Sequence, residues 1–213
     1  MDCADACVHP YPDGDSSVGR MAIEAGDLGF TTIVAVDRGS FQMEGVSVLQ
    51  GVVIHENTVK GVTKEVNRAL PRADVLLADA GDQAFNRGIL SIRGIHILRQ
   101  VHRTPRNSFD HITARIASER RVAVEIDLYP LIHSRGLERQ KVLRRYADIL
   151  RLQRRYDFPL ALSSNARSIL DLRSPRESMA LCSLFGMEEP EVTRAFMNLK
   201  DLLSPRGAVQ VVE

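Results

Sequence analysis

Six histidines are spread over 213 residues, and the carboxylates beside them set what chemistry they could do. His9 closes a short apolar run with Asp13 just beyond it, and the pair His55-Glu56 closes another. Imidazole and carboxylate are donors that divalent ions accept, and a metal-bound water is a strong nucleophile toward a phosphoester. Metal-dependent phosphoester hydrolysis is therefore the first chemistry to weigh, with His9, His55 and Glu56 as ligands. One adjacent pair does not make a ligand set. Ser163-Ser164-Asn165-Ala166 lacks the Gly-x-Ser-x-Gly context of a hydrolase elbow and reads as a turn or cap. The chain has neither a Gly-x-x-x-x-Gly-Lys nor a Gly-x-Gly-x-x-Gly segment, so nucleotide hydrolysis and dinucleotide redox chemistry lose their usual support. His96, inside an apolar run, reads as a hydrogen-bonded core residue, while His102, His111 and His133 read as capping or surface groups. Cys3, Cys7 and Cys182 are too few for a disulfide framework or a zinc site and read as reduced, buried thiols.

The elements that would position these residues alternate. Apolar, β-branched runs at 4–9, 31–36, 48–55, 75–80, 94–98, 122–128 and 159–163 are separated by amphipathic segments at 17–28, 58–70, 84–92, 108–120 and 137–156. Several runs are apolar on both faces, as covered parallel strands require. Seven such units exceed what a small open sheet needs and predict one α/β domain over residues 1–213, a TIM-like (β/α) barrel with some distortion; an open doubly wound sheet is the alternative. Helices over 175–185 and 189–203 and an apolar run at 208–212, a possible eighth strand, follow. In the 108–120 helix Asn107 to Asp110 supply the cap, Ile112, Ile116 and Ala117 share a buried face, and Arg115 and Glu119 point away. In the 137–156 helix Leu143, Tyr146, Ala147 and Leu150 form one stripe and Lys141, Arg144, Asp148, Arg151 and Arg155 another, which is either a solvated face or a ridge for RNA. No uncharged apolar run is long enough to cross a bilayer and no secretory leader is visible, so a cytoplasmic protein with no membrane partner is expected.

The net charge of +1 hides an internal division. Residues 1–86 carry 6 basic and 13 acidic side chains, residues 87–176 carry 19 and 8, and residues 177–213 carry 3 and 6. Screening over about 10 Å lets a local excess act on a polyanion whatever the total charge. All but Lys141 of those 19 are arginines, which favours bidentate phosphate contacts. In a barrel the loops after the strands gather on one face. Arg38, Arg103, Arg106, Arg115, Arg135, Arg167, Arg173 and Arg176, in those loops and nearby turns, are the candidate RNA contacts. Aromatic residues are only 5% and no base-stacking platform is present, so readout of RNA sequence is not expected.

Cys7-Val8-His9-Pro10 resembles the His-x-His opening of the polymerase-and-histidinol-phosphatase (PHP) metal hydrolases, with a cysteine at the first histidine. Where that superfamily has Asp-His after its second strand, this chain has Asp37-Arg38, and a guanidinium does not deprotonate to bind metal. Further on, Asn107-Ser108-Phe109-Asp110-His111-Ile112-Thr113-Ala114-Arg115-Ile116-Ala117, the stretch Val122 to Leu131 with its Glu125-Ile126-Asp127-Leu128, Leu162-Ser163-Ser164-Asn165-Ala166 and Leu172-Arg173-Ser174-Pro175-Arg176-Glu177 resemble, in order and spacing, the archaeal ribonuclease P protein component 3 family and its eukaryotic homologue p30. The resemblance implies a PHP-related barrel without a catalytic metal set of its own. It implies a place in ribonuclease P, the endoribonuclease that removes the 5′ leader of precursor tRNA. Partners would be the catalytic RNA, component 2 in a two-plus-two heterotetramer, and the other ribonuclease P proteins. No catalytic residue and no cofactor are then expected on the protein, and Mg²⁺ is expected on the RNA. The alternatives are a stand-alone PHP-type phosphoesterase using His9, His55 and Glu56, and a scaffold that only holds another protein.

Overall fold

In the computed structural model, which describes residues 3–204, seven parallel strands among the described residues stand side by side in chain order. They are β1 (Ala4–Val8), β2 (Thr32–Val36), β4 (Val46–Ile54), β5 (Val75–Asp79), β6 (Ile97–Arg99), β7 (Ala123–Asp127) and β8 (Leu160–Ser163), with β3 (Phe41–Met43) antiparallel on β4. The sheet nearly closes. Just past β8 the chain turns back along β1, where Asn165 N–H donates to Cys7 C=O at 3.0 Å and His9 N–H to Ala166 C=O at 2.8 Å.

Helices cover the outside: α1 (Val18–Asp27) after β1, α2 (Val59–Ala69) after β4, α3 (Gln83–Leu90) after β5, α4 (His111–Arg120) after β6, α5 (Tyr129–His133) and α6 (Gly136–Tyr156) after β7, and α7 (Pro175–Ser183) and α8 (Glu189–Leu203) after β8. Ser17, Thr58, Asp82, Asp110 and Ser174 each accept a bond from a backbone N–H in the first turn of their helix, which fixes where α1, α2, α3, α4 and α7 begin. β2 has no helix after it. The chain makes β3 and a tight turn through Glu44 (φ 47°) and Gly45 (φ 85°), a left-handed pair suited to a two-residue hairpin.

The expected (β/α) barrel is what the chain forms, and the strand and helix spans agree within a few residues. The proposed eighth strand at 208–212 lies outside the described residues. Two faces differ from expectation. On α4 the buried residues are Thr113, Ala114 and Ala117, while Ile112 is exposed, because small side chains let α4 lie close against its helical neighbours. On α6 the buried stripe is Val142, Tyr146, Ile149, Leu150 and Gln153 together with Arg145; Leu143 and Ala147 sit at its edge. No helix among the described residues is long and apolar enough to cross a membrane.

The interior has two levels. Inward positions alternate along each strand, and the lower level is apolar: Ala4, Val34, Val75, Leu77, Ile97, Ala123 and Ala161, closed from below by Leu199 of α8. At the upper level the same alternation reaches Asp79, Arg99, Glu125, Asp127 and Ser163, where the barrel opens toward the strand C-termini.

Candidate nucleic-acid interface around a sealed barrel mouth

Arg99 fills the mouth. Its side chain is 4% exposed, a guanidinium N–H donates to Asn165 Oδ1 at 2.9 Å, and Nε lies 3.5 Å from Asp79 Oδ1 and 3.7 Å from Glu125 Oε2. Glu125 is held on both oxygens: Ser163 Oγ donates at 2.8 Å and Asn165 Nδ2 at 2.9 Å to Oε1, and Gln100 N–H at 3.1 Å to Oε2. Asn165 reaches this position from a left-handed backbone (φ 46°), a conformation that asparagine tolerates. Asp5 is also buried, accepting from the backbone N–H of Cys7 at 3.2 Å and of Ser164 at 3.0 Å. Burial pushes its carboxyl up to about 6. Burial, and then the neighbouring Glu125 charge, push Asp127 up to about 7. The Arg99 guanidinium stays charged: burial opposes its charge, but Glu125 and then the other acidic neighbours more than offset that.

His9 stands at the edge of this cluster. Its Nε2 is 3.0 Å from Asn165 Oδ1 and 3.6 Å from Cys7 Sγ. Asn165 Oδ1 only accepts, so Nε2 carries the ring proton, and burial holds the imidazole below its ordinary pKa. Burial drives the Cys7 thiol far above the usual thiol range. His55 and Glu56 part company. His55 Nδ1 lies 2.6 Å from Asp79 Oδ2, and that bond raises its pKa, whereas the Glu56 carboxylate lies against Gly61 in the first turn of α2. Among the described residues no three His, Cys, Asp or Glu side chains come together as a metal-binding group.

The eight arginines divide into three kinds. Arg103, Arg135, Arg167 and Arg176 are exposed, on the turn after β6, ahead of α6, after β8 and in the first turn of α7. Arg106 and Arg115 are exposed but paired, Arg106 with Asp148 at 2.8 Å and Arg115 with Glu119 at 2.9 Å on the outer side of α4. Arg38 and Arg173 are spent on backbone: Arg38 donates to the carbonyls of Asp37 and Tyr11, and Arg173 to those of Leu170 and Leu172 at 2.8 and 2.6 Å. The basic stripe of α6 is partly neutralised, since Asp148 also takes Arg151 and Lys141 pairs with Glu138.

The reading of Ser163 to Ala166 as a turn or cap does not bring Asn165 to Arg99, which the structure does. The signal was the alternation Val75-Leu77-Asp79, Ile97-Arg99, Ala123-Glu125-Asp127 and Ala161-Ser163, in which each strand turns polar at its last inward positions. His96 is hydrogen-bonded as expected, its Nδ1 accepting from Leu76 N–H at 3.0 Å, but is only half-buried. His102 lies against Tyr146, whose hydroxyl also donates to Asp127 C=O at 2.8 Å and accepts from Asp127 N–H at 3.1 Å, pinning α6 to β7.

A chain of the cryo-EM structure of archaeal ribonuclease P with mature tRNA superposes with a TM-score of 0.75 at 19% identity, over 99% of this chain and 98% of that one. The zinc-bearing histidinol phosphate phosphatase of Lactococcus lactis, complexed with L-histidinol and phosphate, shares the fold at a TM-score of 0.62 and 11% identity, over 88% of this chain and 95% of the phosphatase. At the sequence level, ribonuclease P protein component 3 of Methanosarcina mazei is 32% identical over 200 residues, 90% of this chain and 84% of the relative. That of Methanococcoides burtonii is 34% identical over 200 residues, 90% and 82%. The profile of the family described as RNase P subunit p30 matches residues 2–208. The chain belongs to the ribonuclease P subunit p30 family.

Proposed function

We propose that the chain serves ribonuclease P by laying an arginine rim against the catalytic RNA, which cleaves precursor tRNA with Mg²⁺ held on its own phosphates. Family membership makes the chain a protein subunit of that endoribonuclease. The observation that supports the mode of action is the split between mouth and rim. The carboxylates of the mouth are turned inward around Arg99, while Arg103, Arg135, Arg167 and Arg176 face solvent around it. A mouth whose donors are already engaged with Arg99, Asn165 and backbone N–H groups does not suit a resident catalytic ion, so we assign no catalytic residue to the protein.

Guanidinium groups that replace counterions on crowded phosphates lower the Mg²⁺ needed to fold an RNA and make binding steeply salt-dependent. The subunit works with component 2, two copies of each, and the other ribonuclease P proteins, in the cytoplasm. The test is leader removal by the reconstituted particle across a Mg²⁺ series, with and without this subunit. The expected result is a shift of the Mg²⁺ requirement to higher concentration when the subunit is left out. Full activity without it at limiting Mg²⁺ would refute the reading. Stoichiometric metal in the RNA-free protein, with phosphatase activity abolished by His9→Ala, would establish a phosphoesterase in its place.

A further inference from the structure

Three carboxyl groups, those of Asp79, Glu125 and Asp127, close on the upper level of the barrel, and Arg99 is the cation set among them. Strand register makes this unavoidable. Asp79 and Arg99 are paired residues on β5 and β6, and the Glu125 carboxylate reaches Arg99 from β7 on the other side. Three oxygens surround the guanidinium: Asp79 Oδ1, Glu125 Oε2 and Asn165 Oδ1, at 3.5, 3.7 and 2.9 Å from its nitrogens. The contact with Asp79 is Coulombic more than directional, because Arg99 Nε and Asp79 Oδ1 are both buried and neither has a hydrogen-bond partner among the described residues. An oxygen cage closed around a positive charge is how proteins hold a hard divalent ion. Here the charge is attached to the chain.

We propose that Arg99 is the resident cation of the barrel mouth, occupying the place among Asp79, Glu125 and Asn165 that a divalent ion would take, so that its removal turns the mouth into a divalent-cation site. A fixed cation frees folding from metal supply. A barrel that needed an ion to neutralise Glu125 and Asp79 would lose stability as free divalent ion fell, by mass action, whereas a guanidinium cannot dissociate. It also cancels carboxylate charge that would otherwise project from the mouth toward a polyanion. The inference stands on the isolated protein and is independent of which surface meets RNA.

The test is thermal unfolding of the full chain in EDTA and in excess Mn²⁺, a hard ion suited to carboxylate and amide oxygens. Wild type is expected to unfold at the same temperature in both. Arg99→Met is expected to unfold several degrees lower in EDTA, to recover part of that loss in Mn²⁺ while binding about one equivalent, and to lose the response when Glu125→Gln is added. Arg99→Lys, which keeps the charge, is expected to fold without any Mn²⁺ response. A folded Arg99→Met that ignores Mn²⁺, or a wild-type protein stabilised by Mn²⁺ through Glu125, would overturn the proposal. Should Arg99→Met fail to fold, the Arg99→Met/Glu125→Gln pair decides. Recovery of folding shows that the carboxylate demanded a cation, and failure shows that the guanidinium is needed for its shape, which refutes the proposal.

Discussion

Asp127 ends β7 with its backbone N–H and C=O both bonded to the Tyr146 hydroxyl, and its buried carboxyl titrates at about 7. An unfolded aspartate titrates at about 3.9. The folded state therefore holds this proton more tightly, and the resulting stabilisation is complete below about pH 4 and lost as pH rises through 7. Asp5, raised to about 6 by burial, adds to the same loss. His102 acts oppositely, since burial depresses it from 6.5 to about 4, and its contribution is complete above 6.5 and lost as pH falls through 4. Asp127→Asn, which keeps the acceptor for Tyr129 N–H, is expected to flatten the decline in stability between pH 4 and 7. Urea midpoints at a series of pH values measure this, and parallel curves for variant and wild type would contradict it. Arg145 makes a separate case. Its buried guanidinium donates to the carbonyls of Val101, Arg106 and Pro105 at 3.3, 3.0 and 3.4 Å, tying the turn after β6 to α6. Arg145→Ala leaves those carbonyls short of a charged donor and is expected to cost about 2–3 kcal/mol in urea unfolding. The arginine count could not single it out, because only the helical phase against Tyr146 and Ile149 turns it inward.

Closure between β8 and β1 depends on a close approach of two loops. Asp15 N–H donates to Arg167 C=O at 2.7 Å, and a Cβ on Gly14 would run into the carbonyl oxygens of both His9 and Arg167. Those oxygens belong to backbone that is itself paired, so neither can give way cheaply. Gly14→Ala is expected to cost about 1–3 kcal/mol and to shift the loop that carries Arg167, readable as a lowered urea midpoint together with weakened RNA binding. An unchanged midpoint would mean that the loops are not locked together. At this scale the sequence was informative wherever a strand is an apolar run and a helix opens on Ser, Thr or Asp, which accounts for seven strands and most helix starts. β3 escaped because three residues carry no periodicity and because Glu44 takes the left-handed turn position where asparagine or aspartate would have signalled a hairpin. The mouth cluster escaped for another reason. Asp79, Glu125 and Ser163 lie inside the apolar runs and Arg99 one residue past its run, but only pairing of neighbouring strands shows that their inward phases coincide.

Across the whole molecule the division of charge along the chain becomes a division in space. Residues 87–176 build β6, β7 and β8 and the helices between them, which are neighbours around the barrel, whereas the acidic first 86 residues build the side from β1 to β5. A polyanion is therefore drawn to the β6 to β8 side and repelled from the other. The candidate arginines are not equivalent. Arg103, Arg135, Arg167 and Arg176 have guanidinium groups turned to solvent, while Arg38 and Arg173 already bond backbone carbonyls and Arg115 already holds Glu119. Each rim arginine that contacts a phosphate contributes roughly 0.7–0.9 to the slope of log affinity against log salt. Changing the four rim arginines together to glutamine is expected to lower that slope by about 2–4 and to weaken binding most at low salt. The Arg38, Arg115 and Arg173 glutamine variants, combined, are expected to change it by less than about 1. Filter binding of the catalytic RNA across a salt series, at fixed Mg²⁺, separates the two sets. Equal slopes for both would show that the RNA does not lie across the barrel mouth, because a contact elsewhere on the basic side has no reason to distinguish rim arginines from those engaged with backbone or with Glu119.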